Sequence, residues 1–237
     1  MPSRLAEISR ELAAACDRID ASSVAAFTYN PLVYARAPHE LYLERFGRGK
    51  KEALWLGMNP GPFGMAQTGV PFGDVGMVRD FLGISGPVGR PPSEHPKRPV
   101  EGFACKKSEV SGTRLWGYMK DRYGSAEAMA ERFFVVNYCP LVFMTESGSN
   151  LTPDKVPKPL AARIEAACDT ALRAIVAELK PSWVIGVGAF AQKQAQRALA
   201  GQDIRIGTVL HPSPASPHAN RGWAPAAQKQ LDALGLG

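Results

Sequence analysis

Four short apolar runs constrain this chain more than any other feature. They are Ala53–Met58 (ALWLGM), Phe133–Tyr138 (FFVVNY), Trp183–Gly188 (WVIGVG) and Ile204–Leu210 (IRIGTVL). Their near-unbroken hydrophobicity suits strands covered on both faces, as in a parallel sheet. Helical spacing fills the intervals. Val75, Val78 and Leu82 fall on one face, as do Ile164, Cys168, Ala171, Ile175 and Leu179. Another helix is expected from about Ala189 to Leu199, ending before Gly201. Strands alternating with helices predict a layered α/β fold. With 237 residues, 45% of them hydrophobic, a single domain over 1–237 with one substantial core is expected.

The flanking segments narrow the class. MPSRLAEISRELAAAC lacks the apolar centre of a signal peptide. It reads as an amphipathic helix with Leu5, Ile8, Leu12, Cys16 and Ile19 on one stripe. No run of about 18 apolar residues suggests a membrane span, so a soluble, cytoplasmic, monomeric protein is expected. Cys16, Cys105, Cys139 and Cys168 form no C-x-x-C pair and match no zinc spacing. They are expected to be small core residues, and neither metal nor cofactor is expected. Basic residues exceed acidic ones, 28 to 22, which favours an anionic partner without specifying one. The segment Arg90–Arg122 holds eight lysines and arginines against four acids, with Trp116 and Tyr118 among them. It reads as a solvated loop or as a surface for a nucleic-acid backbone.

Unusual residues fall just where the runs end. Asn59 follows the first, Asn137 ends the second, Gly188 ends the third and His211 follows the fourth. In open parallel sheets, ligands bind outside the carboxyl ends of the strands, so these residues converge on one candidate site. An isolated Asn-Pro-Gly is usually only a turn. Here it follows a buried strand and continues into Pro62, Phe63 and Gly64, a rigid loop with backbone amides and one amide side chain. It is neither a Walker loop nor a dinucleotide fingerprint. Such a loop suits a flat, mostly neutral ligand such as a nucleobase, and Phe72, otherwise a core residue, could stack on it. The Asn137 amide can donate one hydrogen bond and accept another side by side. That pattern matches the O4 and N3–H edge of uracil and opposes that of cytosine. His211 opens the stiff stretch HPSPASPHANRGW. In it, the Ser213 and Ser216 hydroxyls, backbone amides and Arg221 could contact phosphates, while His218 reads as surface. Gly83–Ser111 and Glu146–Pro159 read as long loops on the same body, and Thr152-Pro153 could open a short helix.

Together these residues resemble the single-strand-selective monofunctional uracil-DNA glycosylases, a branch of the uracil-DNA glycosylase superfamily. The resemblance is carried by FTYNPLVYA, LGMNPGPFGMAQTGVPFGDV, EHPKRPVEG, SEVSGTRLWG, VNYCPL, NLTP, VIGVG and HPSP followed by ANRGW, from about Tyr29 onward. It implies a three-layer α/β/α sandwich around a four-stranded parallel sheet. It also implies a metal-free enzyme that hydrolyses the N-glycosidic bond of uracil, and of 5-substituted uracils such as 5-hydroxymethyluracil, in single- or double-stranded DNA. An abasic site would be left for base-excision repair. By the same resemblance, Asn59 positions water and His211 stabilises the departing base at O2. Met58, Gly61, Phe72 and Asn137 line the base, Gly61 leaving room beside C5. Pro212, Ser213, Pro214, Ala215, Ser216 and Arg221 meet DNA. The main branch of the superfamily has an aspartate where Asn59 stands, and its iron–sulfur branches need four placed cysteines. Ala215 departs from the larger basic residue frequent at its position. The alternatives are a same-fold glycosylase preferring xanthine or hypoxanthine, a non-catalytic damage-binding module, and a small-molecule enzyme.

Overall fold

A computed structural model describes residues 2–237. In chain order it contains α1 (Arg4–Asp17), β1 (Phe27–Tyr29), α2 (Pro31–Tyr34), α3 (Arg36–Phe46), β2 (Ala53–Gly57), α4 (Met65–Thr68), α5 (Val110–Tyr123), α6 (Ala126–Arg132), β3 (Phe133–Asn137), β4 (Val142–Met144) and β5 (Asn150–Leu151). These are followed by α7 (Lys158–Leu179), β6 (Trp183–Val187), α8 (Ala189–Ala198), β7 (Arg205–Val209), α9 (Pro217–Asn220) and α10 (Trp223–Ala233). The four apolar runs become β2, β3, β6 and β7, each ending a residue or so short of its run. They form one parallel sheet in the order β3-β2-β6-β7. Every residue of β2 is buried, as a central strand requires.

Helices cover the sheet. Ser3 caps α1 by accepting from the Ala6 N–H at 3.3 Å, and the apolar stripe of α1 is buried against α7. Ile19 lies beyond the helix, which stops at Asp17. Gly186 lets α8 close on β6, since a Cβ there would run into the backbone of Gln192. All four cysteines are buried and unpaired. Among the described residues no helix is long and apolar enough to cross a membrane.

Three features differ from the sequence pattern. A second sheet, β1-β4-β5, is antiparallel, with Phe27 opposite Met144 and Tyr29 opposite Val142. Its strands are two or three residues long, too short to show alternation. The stretch after Val75 winds into a π-helical turn over Met77–Phe81 instead of continuing as a regular α-helix. Thr152-Pro153 opens only a 3-10 turn over Pro153–Lys155, without a side-chain cap. The long Gly83–Ser111 connection is tied down by buried polar groups. The Tyr29 hydroxyl donates to the Arg98 carbonyl at 2.9 Å and accepts from the His95 N–H at 2.7 Å. Gln67 accepts from the backbone of Glu101 and Gly102 and donates to the carbonyls of Pro62 and Pro99. An amide with all its bonds satisfied is the usual condition for burying one.

Candidate active site

The carboxyl ends of the parallel strands open on a cavity of about 390 Å3. Asn59, Phe72, Asn137 and His211 all line it, with Met58, Gly61, Ser213 and Pro214. The four strand-end positions therefore converge as the sequence predicts, three as lining residues and Gly188 as a packing position behind His211.

The backbone at these strand ends holds the side chains in place. Gly57 and Asn137 are register partners in β2 and β3, and the amides of Tyr138 and Cys139 donate to the carbonyls of Gly57 and Met58 at 2.9 Å each. Beneath Asn137, the Tyr138 hydroxyl donates to Asp169 at 2.7 Å, and Arg197 bridges both residues. The Asn59 Nδ2 donates to the Leu141 carbonyl at 3.2 Å, which fixes the amide plane. Its Oδ1 is buried and has no partner within the protein. A buried acceptor without a donor is costly, and a water donating to this oxygen would satisfy it.

His211 is half-buried, and its Nδ1 accepts from the Ser213 N–H at 3.0 Å. Burial lowers its pKa from the ordinary histidine value. The ring is therefore neutral near pH 7, and the bond at Nδ1 puts its proton on Nε2. The histidine is set by α10: the Leu210 N–H donates to Gln230 at 2.7 Å, and Trp223 Nε1 donates to the Leu210 carbonyl at 2.6 Å. Gly188, at φ 92°, faces the histidine from the end of β6, and a Cβ there would press on the His211 side chain at 3.1 Å.

Phe72 carries a left-handed backbone, φ 52°, uncommon outside glycine and typical of strain held at a functional position. Its carbonyl accepts from the Asp74 N–H, and Trp116 Nε1 donates to the neighbouring Pro71 carbonyl at 3.2 Å. Gly112 makes this possible, because any Cβ there would collide with the Phe72 carbonyl. The Phe72 and His211 rings lie 6.2 Å apart at 45°.

The HPSP turn is internally braced. Ser213 Oγ accepts from the Ala215 N–H, and Ser216 caps α9 by accepting from the Ala219 N–H. Pro214 and Ala215 are exposed at the tip, whereas Pro212 is buried, which suits it to shaping the turn rather than touching a ligand. Arg221 is exposed and contacts His218 Nδ1 at 3.0 Å. Arg114, from α5, donates to the Pro212 carbonyl at 3.0 Å and to Asn220 at 2.9 Å, while Asn220 donates to the Pro214 carbonyl. In the NPGPFG loop, the Phe63 ring is met by Arg98 and Lys107, 5.3 and 4.9 Å from its centroid. This places part of the basic segment beside the cavity.

Sequence reasoning missed Gly57, Glu109, Ser111, Asn150 and Thr152. Gly57 has the closest fit, for a Cβ there would meet Asn137 Oδ1 and the Phe72 ring, the latter at 2.6 Å. The remaining four line the cavity. Asn150 and Thr152 belong to the NLTP motif, and Glu109 and Ser111 to SEVSGTRLWG; the match of these motifs to a family was the available signal. No lysine lines the cavity, and among the described residues no group of three or more His, Cys, Asp or Glu is placed to hold a metal ion.

The chain resembles known proteins over most of its length. A family profile described as the uracil DNA glycosylase superfamily matches residues 45–232. The chain is 51% identical over 210 residues to the single-strand selective monofunctional uracil DNA glycosylase of Mus musculus, covering 88% of this chain and 75% of that one. It is 48% identical over 217 residues to the protein of the same name from Bos taurus, covering 91% and 80%. Among solved structures, wild-type SMUG2 of Pedobacter heparinus superposes with a TM-score of 0.66 at 18% identity, over 96% of this chain and 97% of that one. That likeness is one of fold.

Proposed function

The chain belongs to the uracil-DNA glycosylase superfamily, and from that membership we propose that it is a monofunctional glycosylase releasing uracil and 5-substituted uracils from DNA. The observation that carries the reading is the pairing, in one cavity, of a partnerless Asn59 Oδ1 with a neutral His211 whose proton lies on Nε2.

The target nucleotide leaves its stack, at a cost of about a few kcal/mol, while the Pro214–Ala215 tip props the strand. Phe72 stacks on the base, and Asn137 meets its N3–H and O4. As the C1′–N1 bond breaks, its electron pair passes to the base and charge builds on O2. The Nε2–H of His211 donates to that oxygen. One preorganised donor of this kind is typically worth about 2.7–4 kcal/mol. Asn59 is too weak a base to deprotonate water, so it orients one by accepting from it at Oδ1. The cationic sugar carbon needs no stronger nucleophile. The water oxygen bonds C1′, and its proton is lost to the base anion or to solvent. With no lysine in the cavity to form a Schiff base, the product is an intact strand with an abasic site, the starting point for excision repair.

The test is base release from matched oligonucleotides, single- and double-stranded, carrying uracil, 5-hydroxymethyluracil, xanthine, hypoxanthine or thymine, in chelator, with and without alkali. Uracil release with strand cleavage only after alkali is expected. Faster release of xanthine or hypoxanthine would shift the reading to deaminated purines, and binding without release to a damage-recognition module.

A further inference from the structure

We infer that Arg98, Phe63 and Lys107, with Lys106 in the adjoining groove, form a subsite for the phosphates of a DNA strand beside the flipped nucleotide. The inference rests on the reading of DNA as substrate. The loop after β2 supplies the ring. Gly61, Pro62 and Gly64 line the cavity, whereas Phe63, among them, does not. Its half-buried ring instead meets Arg98 and Lys107, 5.3 and 4.9 Å from its centroid. Both cations are attracted to the ring face, which holds them at the rim of the cavity. Each is tied to that rim a second time. Arg98 Nε donates to the Gly148 carbonyl at 3.1 Å, in the turn that leads into β5, where Asn150 lines the cavity. Arg98 Nη1 donates to the Lys97 carbonyl at 2.9 Å, and Nη2 makes no hydrogen bond among the described residues. Lys107 borders a shallow groove of about 540 Å3 with Lys106, Phe103, Ser108 and Thr113. Ser108 lines this groove and Glu109 lines the cavity, so the two meet across one peptide bond.

No acid answers these charges. Both hydrogen bonds of Arg98 go to carbonyls, and neither lysine enters an ion pair among the described residues. The acids around them are engaged elsewhere. Glu94 is taken by Arg90 at 3.2 Å and by the Val100 N–H at 2.7 Å. Asp74, on the groove, accepts from the Met77 and Glu109 amides and the Ser108 hydroxyl. Glu101 is exposed and pairs with none of the three cations. Arg79, also on the groove, is the exception among the bases, being held by Asp80 at 2.7 Å. Unpaired cations at the mouth of a cavity raise the local concentration of a polyanion. Cations already held by a ring lose less freedom when a phosphate arrives than free side chains would. The sheet order β3-β2-β6-β7 puts the HPSP turn at one edge and the loop bearing Phe63 two strands away. A strand crossing the cavity thus meets the turn on one side of the flipped nucleotide and this subsite on the other.

The experiment follows, by fluorescence anisotropy, binding of a labelled single-stranded oligonucleotide carrying one 2′-fluorinated, uncleavable deoxyuridine, from about 50 to 200 mM salt. Each phosphate contact on a single strand contributes about 0.7 to the slope of log K against log salt. Arg98→Gln/Lys107→Gln is expected to lower the slope by about 1.4 and the affinity near 150 mM salt by about tenfold. Lys107→Gln alone, which breaks no hydrogen bond, is expected to give about half of that change in slope, and so is Lys106→Gln. Phe63→Leu keeps both cations but removes the ring that holds them, and an affinity loss of about two- to fivefold is expected. The control Lys50→Gln/Lys180→Gln removes two exposed charges at the amino ends of β2 and β6, and its slope is expected to stay within about 0.3 of wild type. A wild-type slope in both Lys107→Gln and the Arg98→Gln/Lys107→Gln variant would overturn the inference, as would an equal fall in the control. Wild-type affinity in Phe63→Leu would remove the ring from the subsite. A protein that binds the strand but releases no uracil would overturn the glycosylase reading and leave this inference to be decided by the slopes.

Discussion

Replacing Gly57 with alanine tests whether base recognition depends on one missing methyl group. Gly57 ends β2 with an ordinary backbone conformation, since it is absent from the positive-φ residues. Alanine is thus acceptable to the main chain and slightly restricts the unfolded state. The difficulty lies only in front of it. Its Cβ would stand 2.6 and 2.8 Å from two Phe72 ring carbons and closer still to Asn137 Oδ1, where real Cβ contacts below 3.0 Å essentially never occur. The ring must retreat by at least about 0.4 Å and the amide by more, and both move away from the base they hold. A misplacement of about 1 Å typically costs about 10²-fold in rate. The predicted loss in kcat/KM for uracil is therefore about 10- to 100-fold, or about 1.4–2.7 kcal/mol.

Gel-resolved base release from a single-stranded uracil oligonucleotide, with alkali to reveal the abasic site, measures this loss, and calorimetry on the same preparation measures stability. The midpoint should move by no more than about 10 °C, because repacking a single methyl costs about 1–3 kcal/mol and a chain of this size shifts by about 2–4 °C per kcal/mol. Activity within threefold of wild type would refute the argument. So would an activity loss accompanied by a fall of more than about 10 °C, since the defect would then be one of folding.

Other perturbations address the remaining parts of the site. Asn59→Ala and His211→Ala should each lower uracil release at least about tenfold under single-turnover conditions; near-normal release by either would remove that residue from the chemistry. Arg114→Ala deletes two charge-assisted bonds, one to the Pro212 carbonyl of the HPSP turn and one to Asn220 of α9, which itself holds the Pro214 carbonyl, each worth about 1.5–3 kcal/mol. We expect kcat to drop about tenfold with KM changed less, and an unchanged kcat would show that the turn holds its shape alone. His39 is buried between Ser9 and the Gly69 carbonyl, and burial lowers its pKa to about 4. The unfolded chain therefore takes up this proton near pH 6.5 and the folded chain only near 4, so stability falls as pH drops through that window and the effect levels off below it. The histidine's share is about 3 kcal/mol at about 1.4 kcal/mol per pH unit. Urea titrations at pH 7 and 4.5 should differ by less in His39→Gln than in wild type, and an identical difference would refute the assignment.

What was legible in the sequence, and what was not, follows from the range of the forces involved. Burial on both faces writes itself into consecutive residues, so β2, β3, β6 and β7 could be read directly and the polar residues at their ends stood out against them. Strands as short as β1 and β4 carry no period, and their pairing joins residues more than a hundred positions apart. Glu109 appears in the sequence within SEVSGTRLWG, as one acid in a basic stretch. Its place in the cavity wall depends on Asp74, Ser111 and two loop glycines, Gly61 and Gly64, brought together only once α5 has docked. The glycines make the same point from the other side. Gly57 and Gly112 look like weak points in a strand and a helix, because the conformational freedom of glycine is not used at either position. Each is needed because another part of the site occupies the space of a Cβ: the Phe72 ring and Asn137 amide in one case, the Phe72 carbonyl in the other. A glycine inside a regular element with an ordinary backbone angle is thus itself a signal. It marks where a distant residue approaches: the backbone of Gln192 at Gly186, and Phe72 at both Gly57 and Gly112, with its ring at the first and its carbonyl at the second.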